Sequence, residues 1–342
     1  MGNLKAQIND LAIDSLLEKA VRQDAFEGTV LIALNGNVAY HKSFGFTDQG
    51  EIEPIRNTTR FSIASITKLF TAIITLQLVE EGRIALDDSL TELLPEINIP
   101  QSEKITVHHL LLHISGLPNE NDNLYNEKVP PRAFVSQTIL REHKVLGEFN
   151  YANVDYVLLG LIIEKFDQVS FEQAVRNRIL DICSMRQTGF LHKGDYPENF
   201  AYSFSYRDDK QRQADPLRFI ENYYAAGSMY ATAMDLLKLD QALYGTDLLT
   251  QESKALMFTS YPEYNYSGYS VWTYNYPFAP SNPKIMERRG GILGANAVLI
   301  RFLEANKTII ILSNNNQFNP DSFGHTESLK EGLMIEVDKA GS

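Results

Sequence analysis

Between residues 68 and 81 the chain has no Gly or Pro and is apolar almost all round: Leu69, Phe70, Ala72, Ile73, Ile74, Leu76, Leu78 and Val79. A helix apolar on every side is a buried one, so this stretch, led in from Phe61, predicts a central helix that Gly82 ends. Upstream, residues 3–23 carry Leu4, Ile8, Leu11, Ile13, Leu16, Leu17 and Ala20 at helical spacing. Residues 28–44 read as a hairpin, with a β-rich run over 29–34, the turn Asn35-Gly36-Asn37, and a return over 38–44.

Leu86-Asp87-Asp88-Ser89 opens a loop. Residues 105–117 predict a helix capped by Thr106 and stopped by Gly116. The polar, Pro-punctuated stretch 119–131 is loop. Helices are expected over 132–142, 154–166 and 171–180, with no strand pair between 86 and about 191. A polar loop over 208–218 precedes a helix over 232–243. Residues 261–276 hold seven aromatics, a pattern of half-buried strand and pocket wall. Three strands follow at 285–289, 297–302 and 308–313, the last two joined by the turn Glu304-Ala305-Asn306, and residues 322–337 close the chain as a helix. No internal repeat or low-complexity tract interrupts this order. Strands at both ends with helices between predict an α/β fold. Its mixed, mainly antiparallel sheet is flanked by helices and built from residues 1–85 and 192–342, with an all-helical domain inserted over 86–191.

Chemistry enters at the head of the central helix. Ser65-Ile66-Thr67-Lys68 is an S-x-x-K motif. Serine is a poor nucleophile until a base takes its proton, and residues three apart share a helix face, so Lys68 is placed beside the Ser65 hydroxyl. The motif alone is common; a lysine heading an otherwise apolar helix is what sets this one apart. Tyr151-Ala152-Asn153 offers a phenol able to shuttle a proton and an amide able to hold a substrate carbonyl or orient a lysine. Arg288-Arg289-Gly290-Gly291 sets cations beside glycines that a ligand can approach closely. His108, His109 and His113 are read as structural. His109 and His113 have the four-residue spacing of H-E-x-x-H without its glutamate, so no metal site and no cofactor are expected.

The chain of 342 residues carries a formal net charge of −12, which argues against nucleic acid and anionic membranes as partners. No stretch is long and apolar enough to span a bilayer. Met1 opens an amphipathic segment rather than a signal peptide; the compartment is expected to be cytoplasmic, or periplasmic or secreted if a leader has been removed. Cys183, the one cysteine, is expected to be a small buried hydrophobe.

Five ordered segments resemble the serine β-lactamase and penicillin-binding-protein superfamily, closest to its class C-like branch of D-aminopeptidases, carboxypeptidases and esterases. They are F-S-I-A-S-I-T-K-L-F-T-A, E-G-R-I-A-L-D-D-S-L-T-E-L-L-P-E, L-L-L-H-I-S-G-L-P, F-N-Y-A-N-V-D-Y-V-L-L-G-L-I-I-E and A-A-G-S-M-Y-A-T-A-M-D-L-L-K-L. The resemblance implies a serine hydrolase working through an acyl-enzyme on an ester, a D-amino-acid peptide or a β-lactam. Ser65 is then the nucleophile, and Lys68 and Tyr151 together supply the base, the first acceptor being either of them. Asn153 and Gly290 bind substrate, and the N–H groups of Ser65 and Gly291 form the oxyanion hole. In the third motif Arg288 stands at the family's cation position and Arg289 where a small residue is usual; a one-residue shift would make Arg289 the cation. Arg288 is expected to bind a carboxylate on a small-molecule or short-peptide substrate. A slowly deacylating carboxypeptidase and a non-catalytic relative are the alternatives.

Overall fold

The computed structural model describes residues 8–23, 25–48, 50–207 and 211–340. The chain opens with α1 (Asp10–Arg22), capped by the Asn9 side chain, which accepts from Ala12 N–H at 3.3 Å. Residues 3–7 of the expected helix lie outside the described residues. The hairpin is β1 (Gly28–Leu34) and β2 (Asn37–Phe44). Asn35 and Gly36 both have positive φ, 51° and 75°, the geometry that makes Asn-Gly a hairpin turn. After β3 (Phe61–Ser62) comes a single tight turn, Ala64–Ile66, and then α2 (Thr67–Glu80). Gly82 at φ 65° ends α2 as expected.

The helical stretch holds α3 (Leu90–Leu93), α4 (Val107–Leu112), α5 (Pro131–Thr138), α6 (Asn153–Asp167) and α7 (Phe171–Val175), the last running on into one wider turn, Arg176–Leu180. Short strands β4 (Gly189–Phe190), β5 (Phe204–Tyr206), β6 (Arg212–Ala214) and β7 (Met229–Ala231) follow. Then come α8 (Ala233–Tyr244), α9 (Gln251–Met257), β8 (Trp272–Asn275), β9 (Lys284–Ile292), β10 (Ala295–Phe302), β11 (Lys307–Ser313) and α10 (Leu329–Lys339).

Six strands form one sheet in the order β2-β1-β11-β10-β9-β8, so the two ends of the chain meet where β1 pairs with β11. Every ladder in this sheet is antiparallel; among the described residues, parallel pairing is confined to isolated bridges such as Arg60 with Phe200. Side chains alternate across a strand. Val30, Ile32, Val298, Ile300, Ile309 and Ile311 face a core shared with α1 and α10. Leu31, Ala33, Ala297, Leu299, Ile310 and Leu312 face the larger core that contains α2 and α8. The same core continues without a break into α4, α6 and α7 through Leu110, Ile162 and Phe171. Every apolar residue named at the outset on α2, except Val79, is buried against it.

Local rules missed several points. β3, β7 and β4 form a small second sheet, with Gly189 opposite Tyr230, so a strand does occur before residue 191. Strands of two or three residues are too short to show a period of two. The helix capped by Thr106 stops at Leu112, because His113 takes a left-handed conformation (φ 59°) three residues ahead of Gly116. Only Trp272–Asn275 of the aromatic stretch is strand; before it Asn265 and Tyr266 both turn left-handed. The last helix begins at Leu329, with the residues from Ser322 taken up by turns.

Burial decides which of these helical leucines matter. Leu76 on α2 is wholly enclosed, whereas Leu11 on α1 is 82% exposed despite its place in the apolar pattern. Leu76→Ala is expected to cost about 2–5 kcal/mol and to lower the denaturant midpoint, while Leu11→Ala stays within about 0.5 kcal/mol. Equal midpoints for the two variants would contradict the burial of α2.

Candidate active site

Ser65 sits in the tight turn that leads into α2, next to a strained residue: Ala64 has φ 43°. Side chains at positive φ cost of order 1–3 kcal/mol and persist only where the surroundings impose them. Here β9 imposes it. A Cβ on Gly290 would lie 2.3 Å from the Ile63 carbonyl oxygen and 3.0 Å from the Ser65 nitrogen. Gly290 is therefore required by the fit of strand to nucleophile turn, rather than by room for a ligand. Gly291 follows it along the same cleft, which also takes in Ser65, Phe149, Tyr151, Trp272 and Arg289.

Lys68 has no solvent exposure. Its ammonium donates to Ser65 Oγ at 3.0 Å, Asn153 Oδ1 at 2.7 Å and the Ala226 carbonyl at 2.8 Å. Three N–H groups meet three acceptors, which is the hydrogen-bonding capacity of the ammonium form. Burial pulls the Lys68 pKa below its usual value; the neighbouring Tyr151 opposes that shift and Arg288 adds to it. The Ala226 carbonyl is aimed at Lys68 by another strained residue. Tyr224 (φ 46°, ψ −124°) turns the backbone so that Ala225 and Ala226 present successive carbonyls to Thr71 and Lys68 of α2. Gly160 of α6 lets this loop approach, since a Cβ there would fall 2.5 Å from the Tyr224 ring.

Tyr151 precedes α6, with its ring centroid 4.3 Å from that of His113 and 4.9 Å from Lys68 Nζ. Its hydroxyl oxygen accepts from the Arg288 guanidinium at 2.9 Å. Burial alone would raise the phenol's pKa, but the Arg288 and Lys68 cations outweigh it and bring it down to about 7. Arg288 itself is 1% exposed, and its Nε donates to the Ser65 carbonyl at 2.8 Å. Arg288 was expected to meet a substrate carboxylate; its Nε and one Nη are engaged by the nucleophile's own backbone and by Tyr151, and it is not among the residues that border the open cleft. Strand alternation sends the next side chain the other way. Arg289 borders the open cleft, pairs with Asp321 and lies 4.3 Å over the Trp272 ring.

Asn153 lies beside Lys68 with both ends of its amide engaged, Oδ1 by Lys68 and Nδ2 by Glu120 Oε1 at 2.7 Å. Glu120 was not foreseen; it lies in a loop 33 residues from Asn153 with no local pattern to mark it. Its carboxylate also accepts from the Tyr125 hydroxyl at 2.5 Å. Beneath Tyr151, Asp155 accepts from Ser115 Oγ at 2.6 Å and lies 3.0 Å from His113 Nδ1. Burial raises the Asp155 carboxyl well above the usual range and lowers His113 well below its own, favouring the neutral form of both. His113 is thus held within the protein, as are His108 against the Tyr269 hydroxyl and His109 against Thr106. Cys183 packs against the core, and burial raises its thiol to about 11.

A serine hydrogen-bonded to a buried lysine, beside an acidified tyrosine and under an antiparallel strand, places the molecule in the class of serine hydrolases. The chain belongs to the Beta-lactamase family, whose family model matches residues 13–333. Penicillin-binding protein 4* of Bacillus subtilis is 28% identical over 331 residues, covering 89% of this chain and 72% of that protein. The penicillin-binding protein of Bacillus halodurans has a solved structure with 26% identity and a TM-score of 0.75, covering 88% of this chain and 95% of that one. A D-stereospecific amidohydrolase from Streptomyces sp. gives 25% identity and a TM-score of 0.78, covering 90% of this chain and 95% of that one. No described helix is long and apolar enough to cross a membrane.

The acidified phenol makes a pH prediction. Tyr151 is ionised above its pKa, so acylation should rise with pH through a midpoint of about 7. Arg288→Met removes one of the two cationic influences and is expected to move that midpoint upward, toward the ordinary phenol value of about 10. The measurement is single-turnover acylation rate against pH in both proteins. Coincident midpoints would separate Arg288 from the base.

Proposed function

We propose that the protein hydrolyses a small acyl compound, an amide or ester, through a covalent intermediate on Ser65, with Tyr151 as the base. The observation that carries this reading is the hydrogen bonding of Lys68. Lys68 Nζ lies within hydrogen-bond distance of Ser65 Oγ, Asn153 Oδ1 and the Ala226 carbonyl, which fixes the nucleophile in place beside the phenol. Tyr151, lowered to about 7, has a lone pair to offer the serine's proton when ionised. Ser65 Oγ attacks the carbonyl carbon as its proton passes to the Tyr151 oxygen. The N–H groups of Ser65 and Gly291 receive the developing oxyanion, a contribution of about 10²–10³ in rate per donor. Tyr151 then protonates the leaving group, and the same phenolate draws a proton from the water that releases the acyl chain and passes it to the departing Ser65 Oγ. Arg288 and Lys68 stabilise the phenolate in each half of the cycle, and Glu120 fixes Asn153 so that its carbonyl faces Lys68.

The cation that meets a carboxylate on the substrate is Arg289, which borders the cleft and is partly exposed, its partner Asp321 being 71% exposed and easily displaced. Residues 86–191 are read as the helical lobe that brings Tyr151, Asn153 and Glu120 to the site. The penicillin-binding relatives favour a second reading, in which β-lactams acylate Ser65 and leave slowly.

Intact-mass detection of an adduct on Ser65 tests the intermediate: a fluorophosphonate or penicillin should label the native protein and not Ser65→Ala. Nitrocefin and p-nitrophenyl ester turnover, with the lifetime of any penicilloyl adduct, separates the two readings. Arg289→Ala should lower kcat/KM about tenfold for a carboxylate-bearing substrate, in keeping with the value of a charge-assisted hydrogen bond. A matched neutral ester should be nearly unaffected. Equal losses on the two would remove Arg289 from the binding site.

A further inference from the structure

A cavity of about 780 Å³ adjoins the catalytic cleft at the β8 edge of the six-stranded sheet. Its volume falls in the range of small-molecule pockets, about 300–1,000 Å³. Trp272 and Arg289 border both spaces, whereas Ser65 and Tyr151 border the cleft alone. The Arg289 guanidinium, 4.3 Å over the Trp272 ring, is therefore part of a partition between the two. An occupant of the far space would touch that partition without reaching the nucleophile.

The walls say what the space would hold. Tyr266, Trp272, Tyr274 and Phe323 line it with aromatic rings, and Tyr266 and Phe323 are each 50% exposed. Burial does not account for the place of Tyr266. It sits at φ 58°, directly after Asn265 at φ 57°, a left-handed conformation that a bulky side chain rarely adopts. The turn is tied to β8 by the Thr273 N–H, which donates to the Tyr266 carbonyl at 3.1 Å. Glycine or asparagine would make this turn with less strain. Tyrosine instead brings a half-exposed ring to the cavity.

The charges in the wall are uneven. Glu287 accepts from Lys330 Nζ at 2.7 Å and from the Tyr274 hydroxyl at 2.5 Å. Arg289 pairs with Asp321. Lys284 also borders the cavity; it is exposed and, among the described residues, has no ion-pair partner. On a chain of net charge −12, the charge left unneutralised in this aromatic space is positive. A flat ring that carries an anion meets both features, with its ring against the aromatic walls and its anion at Lys284.

We propose that this cavity is a second binding site, taking a small aromatic carboxylate with its ring against Tyr266 and Phe323 and its anion at Lys284, across the Trp272–Arg289 partition from Ser65. The site is separate from the reaction centre and does not depend on the hydrolase reading. Trp272 is the chain's one tryptophan, so its fluorescence reports on the partition. 3-Phenylpropionate, which is transparent where indole is excited, should change that emission saturably, with a Kd on the order of 0.1–1 mM. 3-Phenylpropanol, its neutral counterpart, should bind about fivefold more weakly, the upper range for an exposed ion pair. Lys284→Met should remove that difference. Tyr266→Asn, which suits positive φ, should weaken both ligands about fivefold or more. Both side chains are exposed and neither borders the catalytic cleft, so the variants should fold and keep the reaction centre intact. The acid should still bind after Ser65 has been blocked with a fluorophosphonate. No saturable change, a change identical in both variants, or loss of binding when Ser65 is blocked overturns the site. If Ser65 takes no label, the hydrolase reading fails, and the native protein and the two variants decide the site by the same criteria.

Discussion

A lysine ammonium with no solvent exposure is the constraint around which this molecule is built. Removing an unpaired ammonium from water is costly enough that such a group must be fully hydrogen-bonded or give up its charge. Lys68 takes its three acceptors from three distant parts of the chain: the nucleophile turn, the start of α6, and the loop before β7. Each acceptor is held by something further. Ala226 is aimed by the strained Tyr224, Asn153 is fixed by Glu120, and Ser65 is pinned between Ala64 and Gly290. The strain at these points is balanced by the contacts that impose it.

The two neighbouring arginines show how a strand divides labour. Arg288 points inward and acts on Tyr151, and Arg289 points outward and acts at the rim. Lysine at the inner position would be a mobile point charge. A guanidinium there is planar and permanently charged, and it bridges the phenol and the Ser65 carbonyl at once. Tyr151 is bounded on its other face by His113, and burial shifts both His113 and its partner Asp155 toward their neutral forms.

Much of this was legible in the residues. The absence of Gly and Pro over 68–81, with apolar side chains on every face, announced a buried helix, and a buried helix headed by S-x-x-K announced the chemistry. The Asn-Gly hairpin and the Thr106 cap followed from local rules that hold regardless of context. What could not be read depends on long-range geometry. The side on which Arg288 falls follows from the phase of β9. Glu120 and the Ala226 carbonyl have no motif, because one is a loop residue recruited across space and the other is backbone. Gly290 looked like a place for ligand and proved to be a place for Ile63 and Ser65. His113 ended its helix early because a left-handed turn sets its ring against Asp155, a partner 42 residues away.

The central claim is that two buried cations hold Tyr151 as the ionisable base. It is tested most directly by ¹³C NMR of the protein labelled at tyrosine Cζ, titrated with pH and compared with Tyr151→Phe. One tyrosine signal should titrate with a midpoint of about 7 and be missing from the variant. If every tyrosine instead stays protonated until the ordinary range near pH 10, Tyr151 is not the base and the account of the site is wrong.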